Sequence, residues 1–511
     1  MSAAIDYSIR QAEKHNKRGD INTAKAVIEK AIQKYPDNPR LRLAARRLDE
    51  KGNAPLRVSQ SLSPELFQEC EHLFQTEQWL LLIKKCSEII EDDADIPSVW
   101  NFLGIAQRFA GFPMLAEISH RKAVDIDPNF CAGFSNLGNI LKDLKKYSEA
   151  EDAHLKALEI EPTNPRLMNN LGLLYEEIGS FDKASALLQN AVKIDPSYAT
   201  AEYNLSTINL RKQNFSLGWN QRQCRWTRIG CDEPYLETKK PEWTGDKTGH
   251  LFVWAEQGVG DEVMFASCFP ELLNFCDKLT VSVGPRLLPL FTRSLPKEIN
   301  IVERALTPPD IGFDCHAPAL TALGYLRQKI EDFETGKKPW LIPDAGKVEM
   351  LRSELAKYSG GKKIVGLSWH TKSNQYGKKR SLPLIDIARN LGDDKFLVNL
   401  QYGDVASEVS ALPQQLGKGI ASFGNVDNWS DLDSFIALIS ACDTVVSIDN
   451  STVHFAGALG KECHVLLPFS AEWRWGENDN SQSYWYESLH LHWQKKLDDW
   501  SHPLSSINAS I

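Results

Sequence analysis

The sequence repeats itself with a step of 34 residues, and no other feature restricts its fold as tightly. Leu103, Leu137, Leu171 and Leu205 stand 34 apart, followed one place on by Gly104, Gly138, Gly172 and Ser206. Ala116, Ala150 and Ala184 keep the same step, as do Ala123, Ala157 and Ala191, and then Pro128, Pro162 and Pro196. Small residues at fixed points let two helices cross closely, and the proline stops the second helix before the next begins. Five columns in register over about residues 98–217 predict helix pairs stacked into an α-solenoid. "GDINTAKAVIEKAIQKYPDNPRL" from Gly19 reads as a weaker copy, and 64–97 as a degenerate one.

The columns resemble the tetratricopeptide repeat, which implies a surface for holding protein or peptide. One column is not explained by packing. Asn136, Asn170 and Asn204 stand 34 apart, each one place before the column leucine. An Asn carries a donor and an acceptor, so the row either pairs with successive peptide groups of an extended chain or bonds locally between neighbouring helices. These three residues are the candidate peptide-binding positions.

Beyond "GWNQRQCRWTRIGC" (218–231) the pattern changes. Short apolar runs alternate with helix-like segments at 251–257, 278–283, 299–303, 363–369, 395–402, 443–448 and 463–468. Such alternation predicts parallel sheets covered on both faces. A loop-rich gap at about 337–361 divides the runs into two Rossmann-like halves with a cleft between them. The expected division is a helical weak copy over 1–55, a solenoid with joining helix over 56–230, and Rossmann-like halves over 231–345 and 346–511.

Composition narrows the partners. The 511 residues carry a formal net charge of −9 and no block of Lys and Arg, which argues against nucleic acid as a partner. The N-terminus lacks the apolar core of a signal peptide and no apolar run reaches a membrane span, so a cytoplasmic protein is expected. Ten scattered Cys form no CxxC pair and read as reduced core thiols.

Ligands of such sheets bind beyond the carboxyl ends of the strands. The first run ends in "EQGVGDEVMFA", where Gly258 and Gly260 permit a tight turn and Asp261 opens a helix, as a cap or as a functional acid. It lacks the third glycine and the downstream acid of a dinucleotide fingerprint. "WHTKSNQYGKKRSLPL" begins at Trp369-His370 and brings Lys372, Lys378, Lys379 and Arg380 to a strand end, either as a phosphate-binding loop or as a solvated one. The next strand of that half ends at Gln401. "TVVSIDNSTVHFAGALG" sends a buried strand through Asp449 and Asn450 into a helix at Ser451, whose free N–H groups and dipole suit an anion; Thr452 and His454 lie on its first turn. The aromatic segment "PFSAEWRWGENDNSQSYWYESL" either stacks on a base or sugar or packs back onto the first half.

Together these segments resemble the two-Rossmann, GT-B type glycosyltransferases of the ADP-heptose heptosyltransferase family, in the bacterial version fused to tetratricopeptide repeats. The joining segment "GWNQRQCRW", the turn "WAEQGVGDEVMFA", the loop "KKRSLPL", the stretch "ISACDTVVSIDNSTVHFAGALGK" and the closing "WRW" and "SYWYESLHLHWQ" carry the resemblance. The architecture is also similar to that of protein O-GlcNAc transferases and flagellin glycosyltransferases. The resemblance implies Asp261 as general base and Gly258 and Gly260 as its turn on the acceptor side. On the donor side it implies Lys378, Arg380, Asn450, Ser451, Thr452 and His454, with Trp369, His370, Gln401 and Asp449 at the same strand ends. Asn450 stands where the family usually has Thr, and His370 where a small or basic residue is commoner.

The implied activity is inverting transfer of a sugar from a nucleotide sugar to a hydroxyl of a protein held by the repeats. The donor is a substrate, and neither metal nor cofactor is expected. The alternatives are a glycan or lipid-linked acceptor, and a repeat scaffold whose transferase half is inactive.

Overall fold

The computed structural model describes Ala12, 21–34, Leu41, 62–228, Cys231, 235–305, Pro308, 311–371, 377–424, 426–478 and 480–511. Two compact units are distinguished, Met1–Asn136 and Leu137–Ile511.

In the first unit, helices Pro64–Gln75, Trp79–Asp92, Pro97–Phe109 and Pro113–Ile126 form two helix pairs, preceded by helix Ile21–Lys34. Pro64, Pro97 and Pro113 each occupy a first helical position, where a missing N–H costs nothing. Gly104 is obligatory for close crossing, because a Cβ there would lie 2.6 Å from the His120 ring. Most of the weak copy expected over 1–55 lies outside the described residues.

The second unit holds helices Tyr147–Ile160, Pro165–Glu177, Phe181–Ile194 and Ala199–Arg211, then Phe215–Arg222 and a 3-10 turn, Gln223–Trp226. Gly138 packs on His154 as Gly104 does on His120. The turn inside each helix pair is left-handed at Glu77, Gly111, Lys145, Gly179 and Gln213, again 34 apart. The period therefore reaches down to the degenerate copy at 64–97. These repeats form a helical solenoid of the tetratricopeptide type.

The α/β region holds two wholly parallel sheets. Strands β1 (Thr248–Trp254), β2 (Cys276–Val283), β3 (Ile299–Glu303) and β4 (Cys315–Pro318) are ordered β3-β2-β1-β4. Val253 of β1 faces Val281 on one side and Ala317 on the other. Strands β5 (Lys363–Ser368), β6 (Lys395–Asn399), β7 (Ile420–Ala421), β8 (Thr444–Ile448), β9 (Cys463–Leu467) and β10 (Leu489–Trp493) are ordered β10-β9-β8-β5-β6-β7. All seven anticipated runs contain a strand. The three that were not anticipated are weak signals: β4 is four residues ending in Pro, β7 is two residues, and β10 places His490 and His492 among its apolar residues.

Phe215 and Trp219, from the end of the repeats, share one apolar core with Leu251, Val281, Leu323, Phe333, Trp473 and Tyr484 of the sheet region. The Trp219 indole also donates to the Arg327 carbonyl at 2.6 Å. The aromatic segment after β9 packs inward: Trp473, Trp475, Tyr484, Trp485 and Tyr486 are all buried. Of its two readings, stacking on a base or sugar therefore gives way to packing on the first half. Tyr484 and Trp485 sit edge-on to Phe333 of that half at 4.9 and 4.8 Å, and Trp473 edge-on to Trp219 of the joining helix at 5.3 Å. Among the described residues no helix is long and apolar enough to cross a membrane.

Candidate functional site

Strand β1 runs into Ala255-Glu256-Gln257-Gly258 before helix Val259–Ala266 begins. Glu256 fixes this corner: Arg225 donates to both its oxygens, at 2.8 and 3.1 Å, and the Leu320 N–H donates at 2.9 Å. Gln257 then takes a left-handed φ of 62°. Asp261 occupies the third helical position, and its Oδ2 accepts from the Gly258 N–H at 3.3 Å. The cap reading of Asp261 thus holds for one carboxylate oxygen, and Oδ1 is left over.

The opposite wall comes from β8. Asn450 caps helix Ser451–Ala458 by accepting from the Thr452 N–H at 3.0 Å. The starts of the two helices meet at Gly260, where a Cβ would lie 3.0 Å from His454 Cδ2 and 3.2 Å from Ser451 Cα. Only the missing side chain allows both helix N-termini, with their positive dipole ends, to converge here.

Around this junction lies a charged cluster. Arg474 Nη2 stands 3.0 Å from Asp261 Oδ1, and Arg474 Nη1 donates to His454 Nε2 at 3.4 Å. That contact leaves the His454 proton on Nδ1, which faces Tyr486 Oη at 3.3 Å. His454 is stacked on Trp475, and burial, aided by Arg474, pulls its pKa down to about 4, so the ring is neutral at pH 7. Arg380 Nη1 donates to Asp449 Oδ2 at 3.0 Å, and its Nη2 lies 3.7 Å from Glu472. Burial opposes the Asp449 charge, yet Arg380 and Arg474 hold its carboxyl below the usual carboxylate range. Arg474 keeps its proton despite burial because Asp261, Asp449 and Glu472 surround it.

The anticipated donor-side residues divide into two groups. Arg380, Asp449, Ser451 and His454 reach the junction, His454 through Arg474 rather than by a free nitrogen. Trp369, Gln401, Asn450 and Thr452 are drawn inward. The Trp369 indole is wholly buried and donates to Glu408 at 2.8 Å. Gln401 Oε1 accepts from the N–H groups of Trp369 and His370, at 2.8 and 2.9 Å, and so ties the end of β5 to the end of β6. Asn450 Nδ2 donates to Ser368 Oγ at 2.8 Å, and Thr452 Oγ1 to the same oxygen at 3.3 Å. These four side chains make their hydrogen bonds within the fold. The polar groups are already paired inside, and leaving them buried and unpaired would cost more than a ligand contact returns.

His370 lines a cavity of about 590 Å³ with Ser381, Leu382, Pro383, Glu408 and Gln415. Lys379 pairs with Glu177 of the repeats at 2.8 Å. Lys372 and the Lys378 side chain lie outside the described residues. A second cavity of about 240 Å³, with Tyr402, Asn428 and the exposed Trp429 in its wall, opens at the ends of β6 and β7. Trp429 and Arg474 carry no signal in the sequence that marks them for these places; Arg474 lies inside "WRW".

In the Asn column, Asn136 donates to Asn101 at 2.9 Å and Asn204 to Asn169 at 2.8 Å. This is local pairing between neighbouring helices, the second of the two readings; Asn170 occupies the corresponding place between them in sequence. Among the described residues no group of three or more His, Cys, Asp and Glu is placed to hold a metal ion.

The tetratricopeptide repeat family model matches residues 130–197. Protein FlbA of Caulobacter vibrioides is 27% identical over 332 residues, 61% of this chain and 55% of FlbA, so the chain spans about half the length of that curated relative. A crystal structure of MamA is 19% identical and covers 30% of this chain and 91% of its own, with a TM-score of 0.28. YrrB, described as a tetratricopeptide repeat protein with an unusual peptide-binding site, is 18% identical and covers 28% of this chain and 74% of its own, with a TM-score of 0.25. Repeats of this type commonly bind peptides or proteins, and two parallel-sheet arrays follow them in this chain.

Proposed function

We propose that the chain is a nucleotide-sugar-dependent glycosyltransferase with two Rossmann-like halves in a GT-B arrangement, acting on a protein held by its repeats. The observation that carries this reading is the convergence of two helix N-termini at Gly260 and Ser451, with Asp261, Arg380 and Arg474 gathered around them. Such a junction suits a dianionic diphosphate, since both helix dipoles and both guanidiniums favour negative charge. The small cavity beside Tyr402 and Trp429 is sized for one aromatic base, and the exposed indole offers it a stacking face.

In the proposed reaction Asp261 takes the proton of the acceptor hydroxyl. The oxygen forms its bond to the anomeric carbon as the bond to the phosphate oxygen breaks, and the carbon inverts. The electron pair leaves on the nucleoside diphosphate, where Arg380 and the start of helix Ser451–Ala458 stabilise it. The reading is tested by donor turnover, with transfer to water as the readout where no acceptor is at hand. Asp261→Asn should lower turnover of an accepted nucleotide sugar by about 10²-fold or more. Near-normal turnover by that variant overturns Asp261 as the base.

A further inference from the structure

The ion pair between Asp261 and Arg474 places the proposed base and a proposed diphosphate ligand in each other's way. While Arg474 stands 3.0 Å from Oδ1, that oxygen is occupied by the guanidinium and is not open to an acceptor hydroxyl. While Arg474 is held there, its charge is not available to an incoming anion. The cluster also sets two guanidiniums, Arg380 and Arg474, against three carboxylates, Asp261, Asp449 and Glu472.

One side-chain movement removes both conflicts. Arg474 is 13% exposed and its Nε has no hydrogen-bond partner. Asp261 Oδ1 is buried and likewise accepts no hydrogen bond, so the pair is held by charge alone. The contact to His454 is long at 3.4 Å. The flanking Trp473 and Trp475 are buried in the core, so the backbone at 474 is fixed and the guanidinium can change partner only by rotation of its side chain.

We infer that Arg474 rests on Asp261 in the donor-free protein and moves to the donor diphosphate on binding, so that the base is released only once the donor is in place. This rests on the donor-site reading above. Its consequence is an ordered reaction, donor before acceptor, and a donor affinity limited by the pair that has to break.

The test is calorimetric titration of the full chain with inorganic pyrophosphate, ADP, GDP and UDP, for wild type, Asp261→Asn, Arg474→Ala and the double variant. Asn keeps the shape of Asp and can still accept from the Gly258 N–H, and unchanged circular dichroism confirms that the variants fold. Asp261→Asn should bind the diphosphate about 5- to 10-fold more tightly than wild type, because Arg474 is already free. Arg474→Ala should bind it at least tenfold more weakly, and Asp261→Asn should add nothing in that background. Equal or weaker binding by Asp261→Asn, with wild type binding normally, overturns the inference and leaves the donor site standing. No binding of any probe by wild type overturns the donor site and the inference with it.

Discussion

Replacing Arg225 by alanine should cost about 3–5 kcal/mol. Arg225 donates through Nε and Nη2 to the two oxygens of Glu256, and Nη2 also donates to Thr321 Oγ1 at 2.9 Å. The two side chains are 5% and 1% exposed. Without the guanidinium, Glu256 retains the Leu320 N–H and a buried charge with no counterion, so the cost is that of stranding a charge rather than of losing one contact. Urea unfolding followed by tryptophan fluorescence reads the change, since Trp226 and Trp254 pack at 5.5 Å beside the pair. At about 3 kcal/mol per molar urea, the midpoint should fall by about 1–1.7 M. Removing both charges together, Arg225→Met with Glu256→Leu, should recover most of the loss. A fall below about 0.3 M for Arg225→Ala, or a double variant no more stable than the single, would refute the reasoning.

Three further outcomes are expected. His154 is buried against Gly138, and burial with a smaller push from Lys142 lowers its pKa to about 3. The unfolded chain takes up that proton below about pH 6.5, so the stability is complete above pH 6.5 and lost as pH falls toward 3, by up to about 1.4 kcal/mol per pH unit. His154→Leu, which copies Leu188 of the next repeat, should flatten the dependence of unfolding free energy on pH between 7 and 4.5; an unchanged slope contradicts this. Gly260→Ala must push His454 or the Ser451 backbone aside, costing about 1–3 kcal/mol of stability and weakening nucleotide binding; a variant with wild-type melting and binding contradicts the close approach. Asn450→Ala removes a cap and the tie to Ser368 and should lower stability by about 1–2 kcal/mol in urea titration, whereas a loss under about 0.3 kcal/mol would contradict the capping role.

The repeats were legible because their packing is local and recurs. A glycine that must meet a helix 16 residues on, as Gly104 meets His120 and Gly138 meets His154, leaves its mark at every step. The strand-to-helix turns at Gly258 and Asn450 were legible from strand, cap and helix signals lying next to one another. What the sequence did not disclose was which polar residues at the strand ends turn inward. Gln401 is spent on bridging β5 to β6, a relation visible only once the register is known. Arg474 was not legible as Asp261's partner because the two come from different sheets, and no spacing relates the end of β1 to the loop after β9. The left-handed turns at Glu77, Lys145 and Gln213 escape a search for glycine, although the 34-residue step marks their places.

The proposed function requires that the junction of helices Val259–Ala266 and Ser451–Ala458 hold a nucleoside diphosphate. Thermal unfolding of the full chain with a panel of nucleoside diphosphates and nucleotide sugars tests it most directly, with Arg380→Ala as the comparison. A ligand at a hundred times its dissociation constant adds about 2.7 kcal/mol. At least one member of the panel should raise the melting temperature of wild type and leave that of Arg380→Ala unchanged. No shift with any member at millimolar concentration, or an equal shift in both proteins, would contradict the proposed function.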